Sequence, residues 1–279
     1  MTILVTTPRG KVGRELVPLL RERGLTIRLA AHSVDETRVE FPGLEVVRLD
    51  YSDASTFAAA VQGVSDVYLA APSDLPQEGE RRFIDGAKAA GVSKIVKLSA
   101  ASAATSTTPS ALRDLERHIE ASGLRWTHLR PTWFDQNYST SQVAAIRSGT
   151  FAEPAGTGKT AFIDTRDVAA VAAEVLTSAR HDGKAYLLTG PEPLDRHEVA
   201  DILTREIGRT VHYVTISDEH FRESVKKFLT PAYVELLSVL YADVRAGATA
   251  TVTKGVEEIL GRPPIAFVEF VRRNRAIWR

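Results

Sequence analysis

Apolar positions along the chain fall into two alternating rhythms. Ile3-Leu4-Val5, Leu25 to Ala31, Leu44 to Leu49, Val64 to Ala71, Ser93 to Leu98 and Leu124 to Arg130 are short runs of strand length. Between them the apolar spacing turns helical. Val12, Leu16, Leu19 and Leu20 mark a helix that stops near Gly24, and Ser55 to Val61 follows with Ser52 or Asp53 as its cap. Glu80 to Ala90 closes at Gly91, and Ala111 to Ser122 closes at Gly123. The polar segment His32 to Arg38 and the small-residue run Ser99 to Ser110 predict loops. Past Pro131 the rhythm breaks. Helices are expected around Ser141 to Arg147 and over Thr165 to Thr177, strands at Ala185 to Thr189 and Thr210 to Thr215, and helix through most of the rest.

Regular strand–helix alternation predicts right-handed crossovers and an α/β, doubly wound, mostly parallel Rossmann-type sheet. The expected division is a dinucleotide-binding domain over 1–131 plus about 160–190, with a smaller, mostly helical substrate lobe from 132–160 and 191–279 over the carboxyl edge of the sheet. In such a sheet ligands bind outside the carboxyl ends of the strands. The loops at 6–13, 32–38, 50–53, 71–77, 99–110 and 131–138 all emerge there.

The first of these loops carries the most chemistry. Thr7-Pro8-Arg9-Gly10-Lys11-Val12-Gly13 joins the first strand to the first helix, the geometry that aims backbone N–H groups and a helix dipole at a phosphate. A full dinucleotide fingerprint has glycine where this chain has Thr7. The missing glycine permits a turn with positive φ, and Pro8 favours extended geometry in the residue before it, so a remodelled turn is expected. Gly10 and Gly13 remain as the close-approach and packing glycines. Arg9, Arg28 and His32 are expected to surround a ribose 2′-phosphate. No Asp or Glu ends the second strand to bind a free 2′-hydroxyl, which favours NADP over NAD.

Bulk properties narrow the partners. Across 279 residues, 35 Lys and Arg balance 35 Asp and Glu, so nothing electrostatic points to nucleic acid or to an anionic membrane. The chain has no cysteine, no secretory pattern at its start and no apolar run approaching ~18 residues, so a cytoplasmic protein is expected. The seven histidines show no ligand spacing, and no metal is expected. Gly156-Thr-Gly-Lys-Thr160 lacks the leading glycine of a phosphate loop, that position being Glu153, and reads as a turn.

Several blocks resemble the NmrA-like family of atypical short-chain dehydrogenase/reductases, which includes NADPH:quinone oxidoreductases. They are Leu44 to Pro72, Leu129-Arg-Pro-Thr-Trp-Phe-Asp-Gln-Asn137, Phe162-Ile-Asp-Thr-Arg-Asp-Val-Ala169, Leu188-Thr-Gly-Pro191 and Leu260-Gly-Arg-Pro-Pro264. The resemblance implies that Thr7, Arg9, Gly10, Lys11 and Val12 cradle the pyrophosphate, with His32 at the end of the second strand. It places Asp50 and Tyr51 at the adenine, and Ala70, Ala71, Pro72 and Ser73 along the ribose and nicotinamide. It runs Leu98 and Ser99 under the nicotinamide. Pro131, Thr132, Trp133 and Phe134 would border the substrate, with Tyr138 adding flat apolar surface.

None of the seven tyrosines is followed four residues later by lysine, so the Tyr-x-x-x-Lys dyad of ordinary carbonyl reduction is missing. No catalytic residue is assigned. Tyr138 and His128 are the candidate proton donors, although His128, inside the sixth strand, reads better as a packed core residue. Lys97 and Glu116 read as structural. The expected function is NADPH-dependent hydride transfer to a quinone or similar electron-poor conjugated small molecule. The alternatives are an NADP(H)-binding redox sensor with a protein partner, or a biosynthetic enzyme that no longer uses the dinucleotide for hydride transfer.

Overall fold

The computed structural model describes residues 1–72, 77–106 and 110–279. The chain begins β1 (Thr2–Thr6), α1 (Gly13–Glu22), β2 (Thr26–Ala31), α2 (Val34–Glu40), β3 (Glu45–Arg48), α3 (Phe57–Val61), β4 (Asp66–Leu69), α4 (Gln77–Ala89) and β5 (Lys94–Leu98). It continues through α5 (Ser102–Thr105), α6 (Ala111–Ala121), β6 (Arg125–Pro131), α7 (Val143–Arg147), β7 (Thr150–Glu153), α8 (Thr165–Thr177) and β8 (Lys184–Leu188). The remainder is α9 (Arg196–Ile207), β9 (His212–Thr215), α10 (Asp218–Val225), α11 (Pro231–Arg245), α12 (Gly255–Leu260) and α13 (Phe267–Asn274).

Seven strands form one sheet in the order β3-β2-β1-β4-β5-β6-β8. The pairs from β3 to β6 are parallel, with Thr6 opposite Ala30 and Leu98 opposite Leu129. The order reverses between β1 and β4, which makes the carboxyl ends of these strands the switch point. Strands buried on both faces need apolar side chains throughout, and Ile3, Leu4 and Val5 are fully buried. One face is covered by Phe57, Phe83, Ile84, Leu115 and Ile119 from α3, α4 and α6.

The chain folds into two units. The first is chiefly Met1–Ala104, the segment ending at Arg130, and Val168–Leu187; the second is chiefly Pro131–Asp167 and Leu188–Arg279. The second unit holds a two-stranded parallel sheet of β7 and β9. Its core gathers Tyr138, Phe151, Phe162, Phe267, Phe270 and Trp278.

The structure corrects the loop expected over His32 to Arg38, most of which is helix α2. Only Thr37 of that helix is buried, so it shows no apolar stripe. Its charges instead follow the helix dipole, with Asp35 and Glu36 in the first turn and Arg38 in the last. The run expected as a loop after Ser99 likewise contains the short helix α5.

Candidate functional site

The β1–α1 turn keeps the shape that a glycine would give it. Thr7 has φ of 52° and is the one non-glycine residue with positive φ among the described residues. A β-branched residue adopts this geometry at a cost of about 1–3 kcal/mol. The remodelling expected from Pro8 therefore does not occur. Hydrogen bonds hold Thr7 in place: its Oγ1 donates to the Ala70 carbonyl at 2.9 Å, and Thr6 Oγ1 lies 2.8 Å from the same oxygen while accepting the Ala70 N–H at 2.8 Å. Tyr51 adds a third hydroxyl to that carbonyl at 3.0 Å. The end of β4 thus pins the turn at the end of β1.

Within the turn, the Gly10 N–H donates to the Thr7 carbonyl at 3.0 Å. A Cβ on Gly13 would lie 2.5 Å from the Thr7 oxygen and 2.6 Å from that of Pro8, so only glycine lets α1 start this close. Burial lowers the pKa of the Lys11 ammonium. Val12 is buried beneath the turn.

Beside the turn lies a cleft of about 440 Å³ over the carboxyl ends of β1, β2 and β3. Thr7, Arg9, Gly10, His32, Asp50, Tyr51 and Pro72 line it together. Ser33 and Thr37, from the 32–38 segment, line it as well, as does Arg14, which no sequence pattern singled out. Asp50 Oδ1 accepts from the Ser52 hydroxyl at 2.6 Å and the Ser52 N–H at 3.0 Å, and these bonds hold its carboxyl below the usual range. His32 Nε2 stands 3.6 Å from Asp50. Ala70 and Ala71 follow the end of β4, and Leu98 ends β5 with Ser99 just after it on the same sheet edge; all four lie outside the cleft lining. Ser73 falls outside the described residues.

Arg9 reaches the cleft but not alone. Its Nη1 pairs with Glu36 and its Nε donates to Glu40 at 3.1 Å. Arg28, expected beside it, faces elsewhere and is a correction. Its guanidinium donates to the carbonyls of Ala60 and Gln62 and pairs with Glu45 at 2.9 Å.

Pro131 and Thr132 are buried at the start of the second unit, and Trp133 and Phe134 are half-buried there. The Trp133 ring packs 4.8 Å from Tyr241, with the Arg196 guanidinium 5.7 Å over it. Tyr138 is 1% exposed and ringed by Phe151, Phe162 and Phe267, so it supplies core packing rather than substrate surface. Burial, with the Glu153 charge, raises its phenol pKa well above the ordinary value, which makes it a weaker acid. His128 is fully buried in β6, stacked on Trp126 at 4.4 Å, and burial lowers its pKa to about 4. Glu116, Glu120 and His128 bring ligand atoms within 4.8 Å of one another. Arg113 and Arg130 already bind those carboxylates, at 2.6 Å for the shortest contact of each, and would repel a cation there. Lys97 and Glu80 form a buried ion pair at 2.6 Å.

A parallel sheet with its switch point beside β1, a tight turn into a helix and a cleft over the strand ends define a Rossmann-type dinucleotide-binding protein. Residues 9–179 match the model of the NAD(P)H-binding family, and the chain belongs to this family of proteins as an NAD(P)H-dependent oxidoreductase. It is 32% identical to the NAD(P)H azoreductase of Xenophilus azovorans over 98% of both chains. It is 30% identical to quinone oxidoreductase 2 of Escherichia coli, over 96% of this chain and 97% of that one. The crystal structure of that quinone oxidoreductase with NADPH superposes with a TM-score of 0.83, covering 97% of this chain and 99% of the other. Among the described residues no helix is long and apolar enough to cross a membrane.

Proposed function

We propose that this protein transfers hydride from NADPH to a quinone or a similar electron-poor conjugated small molecule, without a Tyr-x-x-x-Lys dyad. The observation that carries the reading is the Thr7 turn. It keeps positive φ without glycine, and Gly13 keeps the close approach of helix to turn, so the fingerprint's geometry survives its altered sequence. In this reading the turn from Thr7 to Val12 and the start of α1 would hold the pyrophosphate, with Arg9 and Arg14 turned to the adenosine ribose. Leu49, Tyr51 and Asp50 would face the adenine. Ala70, Ala71, Leu98 and Ser99 would lead along the sheet edge toward the nicotinamide.

When bound, the nicotinamide supplies the hydride. The chain's own residues orient the two partners, which provides much of the rate when no strong acid is needed. A quinone that receives hydride becomes a phenolate-type anion with basicity near ~10, and water can protonate it. The missing dyad and the burial of Tyr51, Tyr68, Tyr138 and Tyr241 favour such an acceptor over a simple ketone. An azo compound is a conjugated acceptor of the same kind.

The test is NADPH oxidation, followed by absorbance, with a panel of small quinones and azo dyes. Enzyme-dependent rates with at least one acceptor are expected. Rates equal to the enzyme-free background across the panel, in protein that binds NADPH, would refute the proposal.

A further inference from the structure

Arg9 and Arg14 line the cleft from the β1–α1 turn and the first turn of α1, and both are gripped by α2. Glu36 and Glu40 stand one helical turn apart, so they project from one face of α2. Glu40 Oε2 accepts from Arg9 Nε at 3.1 Å and from Arg14 Nη2 at 3.2 Å, while its Oε1 accepts from Arg14 Nε at 2.6 Å. Glu36 takes Arg9 Nη1. Two carboxylates thus neutralise the two guanidiniums of the cleft. They occupy the same N–H groups that a phosphate monoester would need for forked recognition.

We infer that Glu36 and Glu40 set the ribose selectivity of the cofactor site by competing with a 2′-phosphate for Arg9 and Arg14, which narrows the preference for NADPH over NADH. The inference rests on reading this cleft as the adenosine end of the cofactor site. A 2′-phosphate brings close to two negative charges toward a place that already holds two carboxylates. It must displace them from the guanidiniums or bear their repulsion. A free 2′-hydroxyl brings no charge and can donate to a carboxylate. The carboxylates therefore oppose one cofactor and tolerate the other.

These side chains are exposed enough to exchange partners. Relative exposure is 35% for Arg9, 64% for Glu36, 29% for Glu40 and 54% for Arg14. Ion pairs at such exposure contribute little to folding, so rearranging them leaves the fold intact. The lack of an acid at the end of β2 therefore does not leave the guanidiniums of the cleft unpaired. Beyond Asp50 in the lining itself, α2 supplies the two carboxylates that hold them.

The probes are 2′,5′-ADP and 5′-AMP, titrated calorimetrically into the full chain, because they report the ribose end without any acceptor chemistry. Glu36→Gln/Glu40→Gln is expected to bind 2′,5′-ADP about 3- to 10-fold more tightly than wild type, with 5′-AMP changed less than about twofold. Glu36→Gln alone, at the more exposed position, should move 2′,5′-ADP in the same direction by less. Thermal unfolding of each variant confirms that the comparison is between folded proteins. Unchanged or weaker 2′,5′-ADP binding in the folded variants would overturn the inference, as would an equal gain for both probes. Should wild type bind neither probe, the assignment of the cleft as a cofactor site itself fails, and the carboxylates lose their proposed role with it.

Discussion

Thr7 shows at the scale of one residue how a sequence rule can be overruled. Proline at the next position and a β-branched side chain both disfavour the left-handed region, yet Thr7 occupies it. The reason lies 63 residues away, where the Ala70 carbonyl accepts its hydroxyl. Two substitutions separate strain from anchoring. Thr7→Gly removes the strain and the hydrogen bond together, and its stability in urea should stay within about 1 kcal/mol of wild type. Thr7→Val keeps the strain and leaves the carbonyl with one donor fewer, so a loss of about 1–2 kcal/mol is expected. A Thr7→Val variant as stable as wild type would show that the hydroxyl does not hold the turn. Gly13→Ala is a harsher test. Its Cβ meets two backbone carbonyls that cannot yield independently, and a loss of about 1–3 kcal/mol is expected in the same assay.

Elements were legible in the sequence where apolar periodicity specified them. The strands through β6 and helices α1, α4, α6 and α8 carry such patterns, and their spacing placed them. Helix α2 was not legible because it buries Thr37 alone, and its charges resemble those of a loop. Without it the face that carries Glu36 and Glu40 stays hidden, and nothing near Arg9 in the sequence shows the carboxylates that pair with it. Strand β7 was missed because one of its inward positions is Glu153, made tolerable by Arg196 at 3.0 Å. Such pairing needs residues distant in the chain and leaves no local signal.

Two buried groups on the sheet give predictions at this scale. Lys97→Met would leave Glu80 charged and buried on its own, costing about 3–5 kcal/mol in urea unfolding. The double variant Lys97→Met/Glu80→Leu should recover most of that loss, and a double variant no better than the single would contradict the ion-pair account. His128 supplies a pH dependence. Its folded pKa of about 4 lies below the ordinary value near 6.5, so the fold favours neutral imidazole. That contribution, up to about 3 kcal/mol, is full above pH ~6.5 and is lost as pH falls from there toward 4. His128→Gln should flatten the fall in stability between about pH 7 and 5. An unchanged slope would mean that His128 is protonated in the folded protein.

For the whole molecule, the doubly wound parallel sheet and the NmrA-like resemblance were readable because the relevant blocks span nearly the full chain. The acceptor was not, since Trp133 and Phe134 indicate an apolar surface without specifying what rests on it. The absent dyad still makes a prediction. Simple ketones, whose reduced oxygen needs a proton donor, should react at least about 100-fold more slowly than quinones under the same NADPH. Comparable rates would require a proton donor that the tyrosines do not provide.

The central claim is that the altered turn, Thr7 in place of glycine, still holds a dinucleotide. Calorimetric titration of NADPH into the wild-type protein tests it most directly. Saturable binding with a dissociation constant below about 100 μM is predicted, strongly weakened by Gly13→Ala. No saturable heat up to about 1 mM NADPH or NADH would contradict the account.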